Sequence, residues 1–169
     1  ILSKWIWKHN DIFMSKNVAI IGASGAIGGA FVDHYSKDGS VNTIYAFSRK
    51  KQSYENKKIR SFALDIENQD SIQDAAEKIS GNFLDQVIVA TGILHSDNFG
   101  PEKSIKDINY DNMAKVININ TIGPSIVGRY FIPLLRKDAK SVIAFLSARV
   151  GSISDNKLGG WYSYRASKT

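Results

Sequence analysis

The sequence predicts an α/β fold: a doubly wound parallel sheet in three layers, with helices on both faces of the strands. Three observations predict it. Short apolar runs alternate with helix-period segments along the chain, which implies parallel strands covered on both sides. The first apolar run breaks into a glycine-rich turn that opens at once into a helical pattern. The 169 residues, 43% of them hydrophobic, suffice for one domain of ordinary size.

The first strand ends at Gly22-Ala23-Ser24-Gly25-Ala26-Ile27-Gly28, and the helix that follows carries Ile27, Phe31, Val32 and Tyr35 at apolar positions. Such a turn can be a plain strand-to-helix connection. Its glycines also let backbone N–H groups approach a pyrophosphate at a helix N-terminus, the arrangement that binds a dinucleotide. Residues 43–48 read as the second strand, 59–64 as the third and 71–79 as a helix. Residues 84–90 read as the fourth strand, ending at Ala90-Thr91-Gly92, with a turn-rich loop over 95–101. A long helix is expected over 110–136, kinked at Gly123-Pro124. Residues 141–147 read as the fifth strand, and a Gly- and Ser-containing loop leads to a last helix at Tyr164. The expected strand order is 3-2-1-4-5, with a crevice at the carboxyl ends of strands one and four.

Composition narrows the function classes. The chain has no cysteine, hence neither disulfide framework nor thiolate site. No metal site is expected, no run approaches the length of a transmembrane helix, and the default compartment is the cytoplasm. The net charge of +6 is concentrated in Arg49, Lys50, Lys51, Lys57, Lys58 and Arg60, against Glu55 alone. A patch of this size can attract nucleic acid. Without a nucleic-acid motif or interleaved aromatics it reads mostly as a solubilising loop. Residues 1–13 read as an extension of the 14–169 dinucleotide-binding domain, either translated upstream sequence or a strap, with a membrane-surface helix the lesser alternative.

Tyr164 and Lys168 carry the chemistry. Four residues apart on a helix, they share one face. A free phenol ionises near about pH 10 and is a poor acid at neutrality, but a cation close by stabilises its anion. The spacing alone usually means a solvated helix face. Its weight comes from the glycine-rich turn far upstream.

With these motifs in order, residues 16–169 resemble the short-chain dehydrogenase/reductase family. The stretches SARVGSISDN and GGWYSYRASK look like the branch of C-factor-like cell-cell signalling proteins and small carbonyl reductases. The resemblance implies a Rossmann-type sheet, here C-terminally incomplete: the last strands and the substrate-covering segment are expected beyond Thr169. It makes Tyr164 the proton donor to a carbonyl oxygen and Lys168 the holder of the nicotinamide ribose. Asn120 would support that lysine through water, and Asp65, with Ile66, would receive the adenine. Gly22, Ser24, Gly25, Ala26, Ile27 and Gly28 would cradle the pyrophosphate, and Ala90, Thr91 and Gly92 would pack on the cofactor.

The chain departs from the family pattern at several points. Ala148 stands where the family has a serine donor to the carbonyl oxygen, so Ser147 is at most a partial replacement, with Ser152 another candidate. Ala26 stands at a glycine position, and Val89-Ala90-Thr91-Gly92 replaces an Asn-Asn-Ala-Gly segment. Ser48, where NAD-binding members carry an acid, is neutral, and Arg49 follows. A guanidinium suits a 2′-phosphate, so NADP(H) is favoured. The reaction expected is reversible reduction of a small carbonyl substrate to an alcohol, by a homo-oligomer when full length, with neither nucleic acid nor membrane as partner. His95 reads as an exposed loop residue. The alternative is an NADP(H)-binding signalling or redox-sensing protein with little turnover.

Overall fold

The computed structural model describes residues 15–169; the expected extension over 1–13 lies outside them. Five parallel strands form one sheet: β1 Lys16–Ile21, β2 Val41–Ser48, β3 Ile59–Ala63, β4 Gln86–Val89 and β5 Val142–Phe145. Their order is β3-β2-β1-β4-β5, the Rossmann-type order expected. Ile20 of β1 faces Ala46 on one side and Ile88 on the other.

Val18, Ala19, Ile20 and Ile21 are all buried, which is why β1 reads as a continuous apolar run: both faces are covered. Side chains alternate between the faces. Val18, Ile20, Ile44 and Ala46 pack with Val32 of α1 (Ala26–Lys37). Ala19, Ile21, Tyr45, Phe47, Val87 and Val89 pack on the other face, against α2 (Gln69–Glu77) and α4 (Gly123–Phe131). Asn68 caps α2 by accepting the Ser71 N–H at 3.0 Å, so this helix starts two residues earlier than its apolar pattern suggests. Phe131 meets Phe47 edge-on at 5.4 Å and ties α4 to the sheet.

The expected single helix over 110–136 is instead a composite. α3 (Tyr110–Ile117), capped by Asn109, runs into a wide turn over Asn118–Ile122 before α4. Gly123 donates its N–H to the Asn118 carbonyl, five residues back rather than four. Pro124 has no N–H for the Asn120 carbonyl, and the wide turn absorbs that missing bond. The helical path ends at Leu134, and Arg136 turns back to pair with Asp85 at 2.8 Å. β5 is one edge of the sheet, with Val142 and Phe145 each 45% exposed. The last helix, α5, spans Tyr162–Lys168.

Candidate active site

The glycine turn lies where β1 gives way to α1, at the point where the chain crosses to opposite sides of the sheet. Gly22 has φ +88°, which favours glycine, and donates its N–H to the Phe47 carbonyl at 2.9 Å. Ala23 donates to the same oxygen at 2.9 Å. A Cβ on Gly28 would stand 2.1 Å from the Gly22 carbonyl oxygen, so this glycine lets α1 close onto the turn. Gly25 precedes α1 in extended conformation, and a Cβ there would meet nothing nearer than 3.4 Å. Ala26 is exposed, and the tight position of the turn is Gly28. Ala26, Ile27 and Gly28 form the first turn of α1, whose N–H groups have no carbonyl a turn earlier, and none of the three is in the crevice lining. Ile27, expected on the apolar side, is 57% exposed in that first turn.

The crevice runs from this turn across the ends of β2 and β4. Gly22, Ser24, Gly25, Ser48, Arg49, Ile66, Ala90, Thr91 and Gly92 line it. Leu64, Glu67, Ile93 and Ile119 line it too, and none of these four was picked out from the sequence. Asp65 is not in the lining. Its carboxylate accepts the Glu67 N–H at 3.0 Å and so folds the turn that brings Ile66 and Glu67 to the crevice. Ser48 is buried and donates its hydroxyl to the Lys50 carbonyl at 2.7 Å, leaving Arg49 exposed at the rim. The Thr91 hydroxyl is the buried side-chain polar atom without a partner among the described residues, and it belongs to this lining. The positive-φ Gly22, the close-packed Gly28 and a groove between two strand ends together fit an extended dinucleotide.

At the far end stands α5. Lys168 Nζ lies over the Tyr164 ring at 6.0 Å from its centroid and donates to the Leu146 carbonyl at 2.8 Å. Burial pushes the Lys168 ammonium below its usual value. A Cβ on Gly92 would stand 3.2 Å from Lys168 Nζ and 3.3 Å from Asn120 Oδ1, so the crevice floor, the lysine and the asparagine converge there. The Asn120 amide is fully engaged. It accepts the Ile93 N–H at 2.8 Å, donates to the Ile93 carbonyl at 2.8 Å and donates to Ser167 Oγ at 2.9 Å. It therefore ties the wide turn to both the crevice wall and α5.

Ser147 lies beyond the end of β5, where strand parity no longer governs direction. Its hydroxyl donates to the Lys168 carbonyl at 2.8 Å, which anchors the end of α5. Ser152 Oγ sits 3.2 Å from Ser154 Oγ and accepts the Asp155 N–H. Ala148, in extended conformation, offers no hydroxyl. His95 is exposed in its loop. Among the described residues no group of three His, Cys, Asp or Glu is placed to hold a metal, and no helix is long and apolar enough to cross a membrane.

The sequence profile of the short chain dehydrogenases matches residues 16–169, from β1 through the Tyr164–Lys168 pair. The chain belongs to that family. Within it, the chain is 36% identical over 107 residues to the 1-hydroxy-2-glutathionyl-2-methyl-3-butene dehydrogenase of Rhodococcus sp. strain AD45, covering 62% of this chain and 44% of that one. It is 38% identical over 65 residues to the C-signal of Myxococcus xanthus, covering 38% of this chain and 39% of that one. The chain thus spans less than half the length of either curated relative. An NADPH-bound carbonyl reductase from chicken fatty liver superposes with a TM-score of 0.77 at 26% identity, over 90% of this chain and 65% of that one.

Proposed function

We propose that this short-chain dehydrogenase is an NADP(H)-dependent oxidoreductase that interconverts a small carbonyl compound and its alcohol, with Tyr164 as proton donor. The Tyr164–Lys168 pair, set against the crevice floor at Gly92, is the observation that carries the reading. The dinucleotide supplies hydride to the carbonyl carbon. Tyr164 presents its phenolic proton to the carbonyl oxygen. The Lys168 ammonium, facing Gly92, holds the ribose and stabilises the phenolate left behind. Gly22, Ser24, Gly25 and the first-turn amides of Ala26, Ile27 and Gly28 receive the pyrophosphate. Ile66 and the Asp65 turn border the adenine, Ala90 and Thr91 the ribose side, and Arg49 a 2′-phosphate. Asn120 keeps α5 registered on the crevice wall. We place the protein in the cytoplasm, acting as a homo-oligomer on a small-molecule substrate, without nucleic-acid or membrane partners.

One observation favours a second reading, an NADP(H)-binding signalling or redox-sensing protein with little turnover. Ala148 carries no hydroxyl and the Ser147 hydroxyl donates to the Lys168 main-chain carbonyl, so neither supplies the carbonyl oxygen with a second donor. Losing one such donor costs about 3–4 kcal/mol of transition-state stabilisation elsewhere. Carbonyl reduction by the full-length protein separates the two readings, with Tyr164→Phe as control. The ring packing survives in the variant, so NADPH binding should persist while reduction collapses. Equal turnover by wild type and Tyr164→Phe would leave the sensor as the better account.

A further inference from the structure

We propose that Glu102 is a positioning residue for Tyr164: from the loop between β4 and α3 it clamps the turn leading into α5 and so sets where the phenol stands. Glu102 is buried, yet it has no ion-pair partner among the described residues. An unpaired carboxylate is costly to bury unless donors surround it. Here they come from one short stretch. The Glu102 carboxylate accepts the Ser163 hydroxyl, and the Ser163 N–H lies 3.3 and 3.4 Å from its two oxygens. The Glu102 carbonyl accepts the Trp161 N–H at 2.6 Å.

The start of α5 needs holding. Gly159, Gly160 and Trp161 have φ of +65°, +65° and +53° in succession. For a bulky residue such as Trp161 the left-handed region is strained and persists only where its surroundings over-determine it. Glu102 grips the turn from one side. From the other, the Arg165 guanidinium donates to the carbonyls of Gly160 (3.0 Å), Val150 (2.9 Å) and Gly159 (3.4 Å). The Trp161 ring meets the Tyr164 ring edge-on at 6.4 Å, so the turn and the phenol move together.

The opposite end of α5 is fixed by different residues. Ser147 holds the Lys168 carbonyl, Thr121 holds the Ser167 carbonyl at 3.0 Å, and Asn120 holds the Ser167 hydroxyl. Removing Glu102 should therefore displace Tyr164 while leaving Lys168, and with it the cofactor contacts, in place. A structural residue without this role would weaken both ends alike.

The kinetic arm of the test rests on the oxidoreductase reading above; the exchange arm does not. The full-length protein is assayed with 4-nitrobenzaldehyde and NADPH, NADPH affinity is measured by fluorescence, and amide hydrogen exchange is followed by mass spectrometry. For Glu102→Ala, kcat should fall about 10- to 100-fold, the usual penalty for misplacing a reacting group by an ångström, while the NADPH Kd stays within about twofold. Exchange should accelerate over residues 161–164 and stay unchanged in the sheet. Glu102→Gln, which keeps an acceptor oxygen, should restore most of both. Ser163→Ala removes one hydroxyl and should show the same pattern more weakly; if Glu102→Ala does not fold, Ser163→Ala decides by the same criteria. Wild-type kcat in Glu102→Ala, or a kcat loss there matched by an equal loss of NADPH affinity, overturns the proposal. If wild type reduces no carbonyl, the oxidoreductase reading fails and exchange alone decides: unchanged rates over 161–164 overturn the clamp, and acceleration confined there supports it.

Discussion

Lys168 sits half-buried, its ammonium making one hydrogen bond among the described residues, to the Leu146 carbonyl, and the penalty of burial falls on its charged form. Its ammonium is pushed below 10.5 in the folded chain, so the unfolded chain binds more protons between that lowered value and 10.5. Stability must therefore rise with pH through this window, and the penalty is present in full below it. Lys168→Met loses the hydrogen bond at every pH but sheds the charge. The stability of wild type relative to Lys168→Met, from urea unfolding between pH 7 and pH 11, should improve as pH rises. A flat difference would show that the ammonium is well solvated. Arg49 makes the opposite kind of contribution. It is exposed and, among the described residues, forms no ion pair, so on the NADP(H) reading its use is toward the 2′-phosphate. Arg49→Ala should weaken NADPH by about 1.5–3 kcal/mol, the worth of hydrogen bonds to a charged group, and leave NADH nearly unchanged. Parallel titrations of the two cofactors check this. Both positions were picked out from the sequence, because each stands at a fixed offset from a motif. Glu102 was not. Its contact with Ser163 spans 61 residues and follows no spacing rule.

At the scale of elements, the glycine turn shows which of its small residues the structure requires. A Cβ on Gly28 would meet two backbone atoms of Gly22, at 2.1 and 2.7 Å, and backbone cannot swing aside. Gly28→Ala should cost about 1–3 kcal/mol by overpacking and should also spoil the amide cradle. Gly25→Ala, with no protein atom nearer than 3.4 Å, should keep stability even where a methyl in the crevice lining weakens NADPH. Urea midpoints and NADPH titration of the two variants check the contrast, and equal loss of stability at both positions would mean that the turn needs flexibility rather than room. The composite helix marks the limit of element-level reading. Gly123-Pro124 announced a break, but the wide turn over Asn118–Ile122 depends on the Asn120 amide gripping Ile93 and Ser167. Those partners are distant in sequence, and periodicity reports only local order.

For the whole molecule, strand order and direction were legible because a parallel sheet covered on both faces imposes continuous apolar runs. The edges blur this signal: β3 has no fully buried residue, and the expected Leu64 falls just outside it, yet the alternation with helices still placed it. What the pattern does not reveal is how unequally the two faces are packed. Among the described residues the α1 face gathers seven buried residues, whereas the face under α2 and α4 gathers sixteen, and Phe131 lies among the latter. Fully buried, it meets Phe47 edge-on and closes α4 over the strand ends that carry the crevice. Phe131→Ala should therefore cost about 3–5 kcal/mol, the usual range for a phenylalanine deleted from a core. Phe145, on the edge strand and 45% exposed, is the internal comparison. Its replacement by alanine leaves no enclosed cavity and should cost clearly less. Equilibrium urea unfolding of both variants measures the difference. Equal losses would mean that the edge strand is covered in solution, and a small loss at Phe131 would mean that α4 does not close this face as the packing requires.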